Sequence, residues 1–153
     1  PAPALARIGA YLGLPVRWDS EEQAADYLWS VSKSFGPHTR EQWLALTRPM
    51  LRPADEGGWR LHYDPAIAIP FQTSTPEMTA VFEAALWAAY DAIRCPTLLL
   101  RGAESDLLTL ECAQAMTQRG PRAQLHQFAG VGHAPTLMAD DQVQRVREFL
   151  LSA

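Results

Sequence analysis

Apolar residues recur at helical spacing in the first half of the chain and as short continuous runs only in the second. Asp19-Ser20-Glu21-Glu22-Gln23 precedes Ala24, Tyr27 or Leu28, Val31 and Phe35. The spacing predicts a helix with Ser20 as its cap and Gln23 completing a capping box, stopped by Gly36-Pro37. Thr39-Arg40-Glu41-Gln42 repeats the device ahead of Trp43, Leu44 and Thr47, and Pro49 and Pro53 close that second helix. The turn Asp55-Glu56-Gly57-Gly58 lies between Met50–Leu51 and the alternating stretch Trp59–Tyr63, which predicts a short hairpin broken by Asp64-Pro65.

From Thr75 onward the pattern changes. Thr75-Pro76-Glu77 opens a helix with proline at its first position, and Val81, Ala85, Trp87, Ala88 and Ile93 mark its apolar side. Cys95-Pro96 introduces Thr97-Leu98-Leu99-Leu100, a run of the kind buried in parallel sheets. A loop over 102–106, a helix over 110–118 closed by Gly120-Pro121, a strand over 123–128, a glycine-rich loop over 129–135 and a helix over 140–151 follow. The last helix carries Val143, Val146, Phe149 and Leu150 on one face, with acids at its start. Strand, helix, strand, helix is a βαβα unit, and its right-handed crossover makes the strands parallel. Two regions result, residues 1–75 and 76–153.

The chain has 153 residues, a formal net charge of −4 and two cysteines. Lys and Arg are scattered (Arg7, Arg17, Lys33, Arg40, Arg48, Arg52) and form no run, which argues against binding nucleic acid or an anionic membrane. Cys95 and Cys112 belong to no CxxC pair or Cys/His cluster, so no zinc site is predicted, and the pair fits a reducing cytoplasm. No stretch approaches the roughly 20 apolar residues of a membrane span. The opening PAPALARIGAYLG has neither the charged start of a signal peptide nor an initiator Met, and the chain reads as truncated or processed.

In an open parallel sheet, catalytic groups gather on loops at the carboxyl ends of the strands. Two such loops are predicted. RGAESDLL offers Glu104 and Asp106, and FAGVGHAPTL offers His133 between Gly132 and Ala134. Each residue alone has a bland reading: Asp106 as a helix cap, His133 as a solvated loop residue. An acid after one strand and GxGH after the next, in that order, carries far more weight. A carboxylate on one imidazole nitrogen fixes the tautomer and stabilises the imidazolium, leaving the other nitrogen to take a proton from a nucleophile.

With these residues in place, AIRCPTLLLRGAESDLL…FAGVGHAPTLMADDQVQRVREFL resembles the C-terminal third of the α/β-hydrolase superfamily. In that family the triad runs nucleophile, acid, histidine along the chain. The resemblance maps the acid to Asp106, with Glu104 competing, and the base to His133. Residues 1 to about 75, with two capped helices and GGWRLHYDPAIAIPF, look like the helical cap of such enzymes. The resemblance also implies that Trp87 and Tyr90 border the substrate; the tryptophans of the cap region (Trp18, Trp29, Trp43, Trp59) could line an apolar pocket, but helix packing is the better reading for most of them.

One departure is large. None of Ser20, Ser30, Ser32, Ser34, Ser74, Ser105 and Ser152 has glycines two residues before and two after it, so the G-x-S-x-G elbow is absent, as are the oxyanion-hole loops. The expectation is an α/β chain, an incomplete α/β-hydrolase fold with a mostly helical cap followed by a parallel βαβα unit. The intact parent would hydrolyse a small apolar ester, lactone or related acyl substrate without metal or organic cofactor. The piece alone would be inactive, since the acid–base pair has nothing to deprotonate. A non-catalytic alternative is a self-associating module, because two strands leave both sheet edges unpaired.

Overall fold

The computed structural model describes residues 2–73 and 75–152, with side chains from residue 6 onward. The chain divides into two compact units, Pro1–Lys33 with Pro37–Thr73, and Ser34–Gly36 with Ser74–Ala153.

The first unit begins with helix α1 (Ala2–Tyr11), strand β1 (Arg17–Trp18) and helix α2 (Glu21–Val31). Helix α3 (Arg40–Thr47), strands β2 (Leu51–Pro53) and β3 (Trp59–Leu61) and helix α4 (Ile69–Thr73) complete it. The caps set the helix starts. Gln23 N–H donates to Ser20 Oγ at 3.2 Å, but the Gln23 side chain accepts from Asp19 N–H rather than from the cap residue itself. At Thr39 the box closes fully: Gln42 N–H donates to Thr39 Oγ1 at 3.2 Å, and Gln42 Oε1 accepts from Thr39 N–H at 2.9 Å.

The predicted hairpin is real, with Leu51 opposite Leu61 and Pro53 opposite Trp59. It is also larger than the sequence pattern indicated. β1 pairs antiparallel with β3, Trp18 opposite Trp59, giving a three-stranded sheet in the order β1-β3-β2. A two-residue strand has no periodicity to read, and only the tertiary pairing defines it. Trp18 and Leu51 from this sheet form the core with Ala24 of α2, and Val16, Tyr27, Trp59 and Leu61 pack around them. Helix α2 ends at Val31, short of Gly36-Pro37, and Phe35 lies in a separate 3₁₀ turn, Lys33–Phe35.

In the second unit, helix α5 (Pro76–Asp91) starts at Thr75, whose Oγ1 accepts from Met78 N–H at 3.3 Å. Strand β4 (Leu98–Gly102), helix α6 (Leu110–Gln118), strand β5 (Gln124–Phe128) and helix α7 (Asp140–Ser152) follow. β4 and β5 are parallel neighbours, in register from Leu98 opposite Gln124 to Gly102 opposite Phe128. β4 runs two residues past the apolar run and takes Arg101 and Gly102 into the ladder. The apolar side read for α5 is not a buried side: α5 has no buried residue, and Val81, Phe82 and Leu86 are 69%, 58% and 71% exposed.

Candidate active site

Both candidate loops leave the same edge of the β4–β5 pair, because parallel strands in register end together. The ladder continues past the strands: Ala103 N–H donates to the Phe128 carbonyl at 2.9 Å, and Glu104 N–H donates to the Val131 carbonyl at 2.9 Å. That second bond lies two residues before Asp106 on one loop and two before His133 on the other. Asp106 and His133 are both exposed, and so is Glu104, whose backbone rather than whose carboxylate holds the loops together.

Glycine is required where the loops cross. A Cβ on Gly102 would run into the Val131 and Gly132 carbonyl oxygens and come within 2.7 Å of the Val131 carbonyl carbon. Behind the histidine, Gly132 N–H donates to the Ser34 carbonyl, and a Cβ on Gly132 would sit 2.7 Å from that same oxygen. The segment Ser34–Gly36 therefore backs the histidine loop although it lies among first-unit residues in sequence. The sequence reading saw Gly36-Pro37 only as a helix stop.

The residue that the sequence reading missed entirely is Arg101. It is 5% exposed and makes four hydrogen bonds, three of them to the acid loop. Nε donates to the Leu108 carbonyl at 2.7 Å, Nη1 to the Ala103 carbonyl at 3.0 Å and to Gln127 Oε1 at 2.8 Å, and Nη2 to the Ser105 carbonyl at 3.0 Å. The planar fork of a guanidinium reaches several carbonyls at once, which an ammonium cannot do. Ser105, also buried, tightens the same loop, its Oγ accepting from Leu108 N–H at 3.1 Å. Thr109 then caps α6, accepting from Cys112 N–H. The cap of α6 is thus Thr109 and not Asp106, which removes the bland reading of Asp106 as a cap. The available signal was an arginine at the end of an apolar strand, where a charge has to find buried partners.

Trp87 and Tyr90 lie elsewhere. The Tyr90 hydroxyl donates to the Met116 carbonyl at 2.7 Å, and Met116 accepts from Ala123 N–H just before β5 begins. Trp87 meets Tyr90 edge to face and carries the Arg119 guanidinium 4.3 Å above its ring. These contacts are at the amino-terminal edge of the strands, opposite the acid and histidine loops. Trp87 and Tyr90, which the resemblance implies beside the substrate, here fasten α5 to the end of α6. In the first unit, Trp43 is buried, donates to the Ala25 carbonyl at 2.8 Å and meets Trp29 edge to face, a packing role as read.

Cys95 and Cys112 are free thiols. Burial, followed by the charge of Glu83, pushes the Cys112 thiol up from its ordinary range, so it is a poor nucleophile. Among the described residues, no group of three His, Cys, Asp or Glu side chains could hold a metal ion, and no helix is long and apolar enough to cross a membrane.

Solved structures share this architecture. A Rickettsia typhi protein described as a hydrolase superposes with a TM-score of 0.82 at 27% identity, covering 99% of this chain and 50% of that one. An α/β hydrolase from Novosphingobium aromaticivorans gives 0.79 at 29% identity, covering 99% and 52%. The chain has part of the α/β-hydrolase fold. Among curated proteins it is similar to the 3-hydroxybutyrate-oligomer hydrolase of Cupriavidus necator, 46% identical over 98% of this chain and 52% of that protein. The chain spans about half the length of the relatives it matches. No family model matches it.

Proposed function

We propose that this chain supplies the acid and base of a hydrolase acting on esters of a small hydroxy acid. Asp106 accepts a hydrogen bond from one imidazole nitrogen of His133, and the other nitrogen takes the proton from a nucleophile outside this chain. The hydrogen bond from Glu104 N–H to the Val131 carbonyl carries the reading, since it ties the two loops together two residues short of each side chain. Arg101 positions the acid loop. The name of the Cupriavidus necator relative supports 3-hydroxybutyrate esters as the substrate class. The first unit is the cap of the intact enzyme, and the two free thiols support a cytoplasmic location.

The test is the hydrolysis of p-nitrophenyl 3-hydroxybutyrate. The chain alone is expected to give no turnover that depends on His133. Fused behind the half of the Cupriavidus necator relative that it does not match, it is expected to hydrolyse the ester. His133→Ala is then expected to lower kcat by about 10³-fold or more. Turnover in the fusion that survives His133→Ala overturns the reading.

A second reading, a self-associating module without catalysis, is supported by the exposed apolar residues of α5, Val81, Phe82 and Leu86.

A further inference from the structure

The arginines that look scattered in sequence converge on the first unit's sheet. Arg17 stands opposite Arg60 across β1 and β3, and Arg52 stands opposite Arg60 across β2 and β3. Directly paired residues project to the same face, and successive residues alternate. Trp18, Trp59, Leu51 and Leu61 therefore take one face and build the core, and the three guanidinium side chains form a row on the other. Neighbouring strands lie about 4.8 Å apart, so the charges are close, and like charges directly opposite destabilise a sheet.

Among the described residues nothing in the unit neutralises the row. Among the described residues none of the three arginines enters an ion pair, with the nearby turn acids Asp55 and Glu56 or with any other carboxylate. Arg17 Nη1 spends its hydrogen bonds on the Glu56 and Gly57 carbonyls, 2.9 Å each. Arg52 Nε is buried without a hydrogen-bond partner among the described residues, and a buried unsatisfied donor costs about 1–3 kcal/mol. Arg17 and Arg60 also line a cleft walled by Leu14, Pro15, Ala54 and Tyr63. The Tyr63 hydroxyl accepts from Gly13 N–H at 3.0 Å, which leaves its proton to donate. The cleft measures about 210 Å³, room for a small molecule.

We propose that the Arg17–Arg60–Arg52 row is a binding site for a small carboxylate with a short apolar tail, the carboxylate on the guanidinium groups and the tail on Leu14 and Pro15. Guanidinium forks bind carboxylates bidentately, and the bound anion relieves the repulsion along the row. The proposal stands on the first unit alone and does not rest on Asp106 or His133.

The experiment is an NMR titration of the chain at low salt, about 20 mM, where charge interactions are least screened. It follows the backbone and Nε resonances of the three arginines against butyrate, inorganic phosphate and methyl butyrate. Saturable shifts with butyrate and none with the neutral ester are expected. Arg60→Gln is expected to weaken butyrate binding about 10-fold or more, the loss of one charge-assisted bidentate contact. In anion-free buffer the same change is expected to raise Tm by removing a like charge. Arg147→Gln, on exposed α7, leaves both unchanged. Should Arg60→Gln misfold, Arg17→Gln reads the same loss. No saturable shift, phosphate binding as tightly as butyrate, or butyrate affinity unchanged in both variants overturns the proposal.

Discussion

Arg101 makes four side-chain hydrogen bonds in the second unit. Its guanidinium is shut away from water, and three of its four acceptors are carbonyls of the loop that carries Asp106. Hydrogen bonds to a charged donor contribute about 1.5–3 kcal/mol each, and losing the donor leaves the carbonyls unsatisfied. Arg101→Met is therefore expected to destabilise the chain by about 3 kcal/mol in urea unfolding. Arg101→Lys is expected to recover only part of that, because one ammonium cannot span Leu108, Ala103 and Ser105 together. An Arg101→Met chain as stable as the parent would show that the fork is dispensable. Asp106 and His133 could be proposed from sequence because their residue types and spacing are visible there. Arg101 was not, because burial is not written in the residue type.

At the scale of elements, caps and pairings divide the work. Thr39, Thr75 and Thr109 each satisfy a first-turn N–H; the starts at Thr39 and Thr75 were visible as Thr ahead of polar helix openings, whereas at α6 the sequence offered Asp106 instead. The link between α5 and the end of α6 is tertiary: Arg119 donates to Asp91 across 28 residues of sequence, 2.8 Å from Nε to Oδ1, with a second shorter contact from Nη2. Arg119 holds the Asp91 carboxyl below its ordinary range, first by this hydrogen bond and then by its charge. The folded-state value is depressed, so the linked stability is fully present above about pH 4, the unfolded value, and is lost as pH falls through the lower folded value. In acid denaturation followed by circular dichroism, Asp91→Asn is expected to flatten the part of the curve below pH 4. Glu22 and Glu77, also held below their ordinary range at helix starts, titrate in the same region, so the acid limb is expected to shrink rather than vanish. An unaltered acid limb in Asp91→Asn would mean the pair is screened into insignificance, as exposed pairs often are.

For the molecule as a whole, the sheet of the second unit has two strands, β4 and β5. Leu98, Leu99 and Leu100 are only half-buried there, where a parallel strand is ordinarily covered on both faces. Val81, Phe82 and Leu86 on α5 and Leu150 and Leu151 on α7 stand largely in solvent. Apolar surface on this scale marks an interface or an aggregation hazard. Light scattering on the chain at tens of micromolar is expected to report species heavier than one chain. Phe82→Glu with Leu86→Glu is expected to shift the population toward the monomer. A strict monomer in the parent chain would remove self-association.

The sequence by itself determined the class of fold, the parallel order of β4 and β5 and the capped starts of α2, α3 and α5, and it named the two residues proposed for the chemistry. These depend on local periodicity, on capping side chains and on the handedness of a βαβ crossover, all of which act over a few residues or follow from chain order. Tertiary structure alone decided the third strand at Arg17–Trp18, the buried fork of Arg101, the backing of the histidine loop by Ser34–Gly36 and the row of arginines across the small sheet. It also decided that Trp87 and Tyr90 fasten helices at the far edge of the strands. Each of these joins residues distant in the chain, and neither burial nor register between strands can be read until the backbone has brought them together.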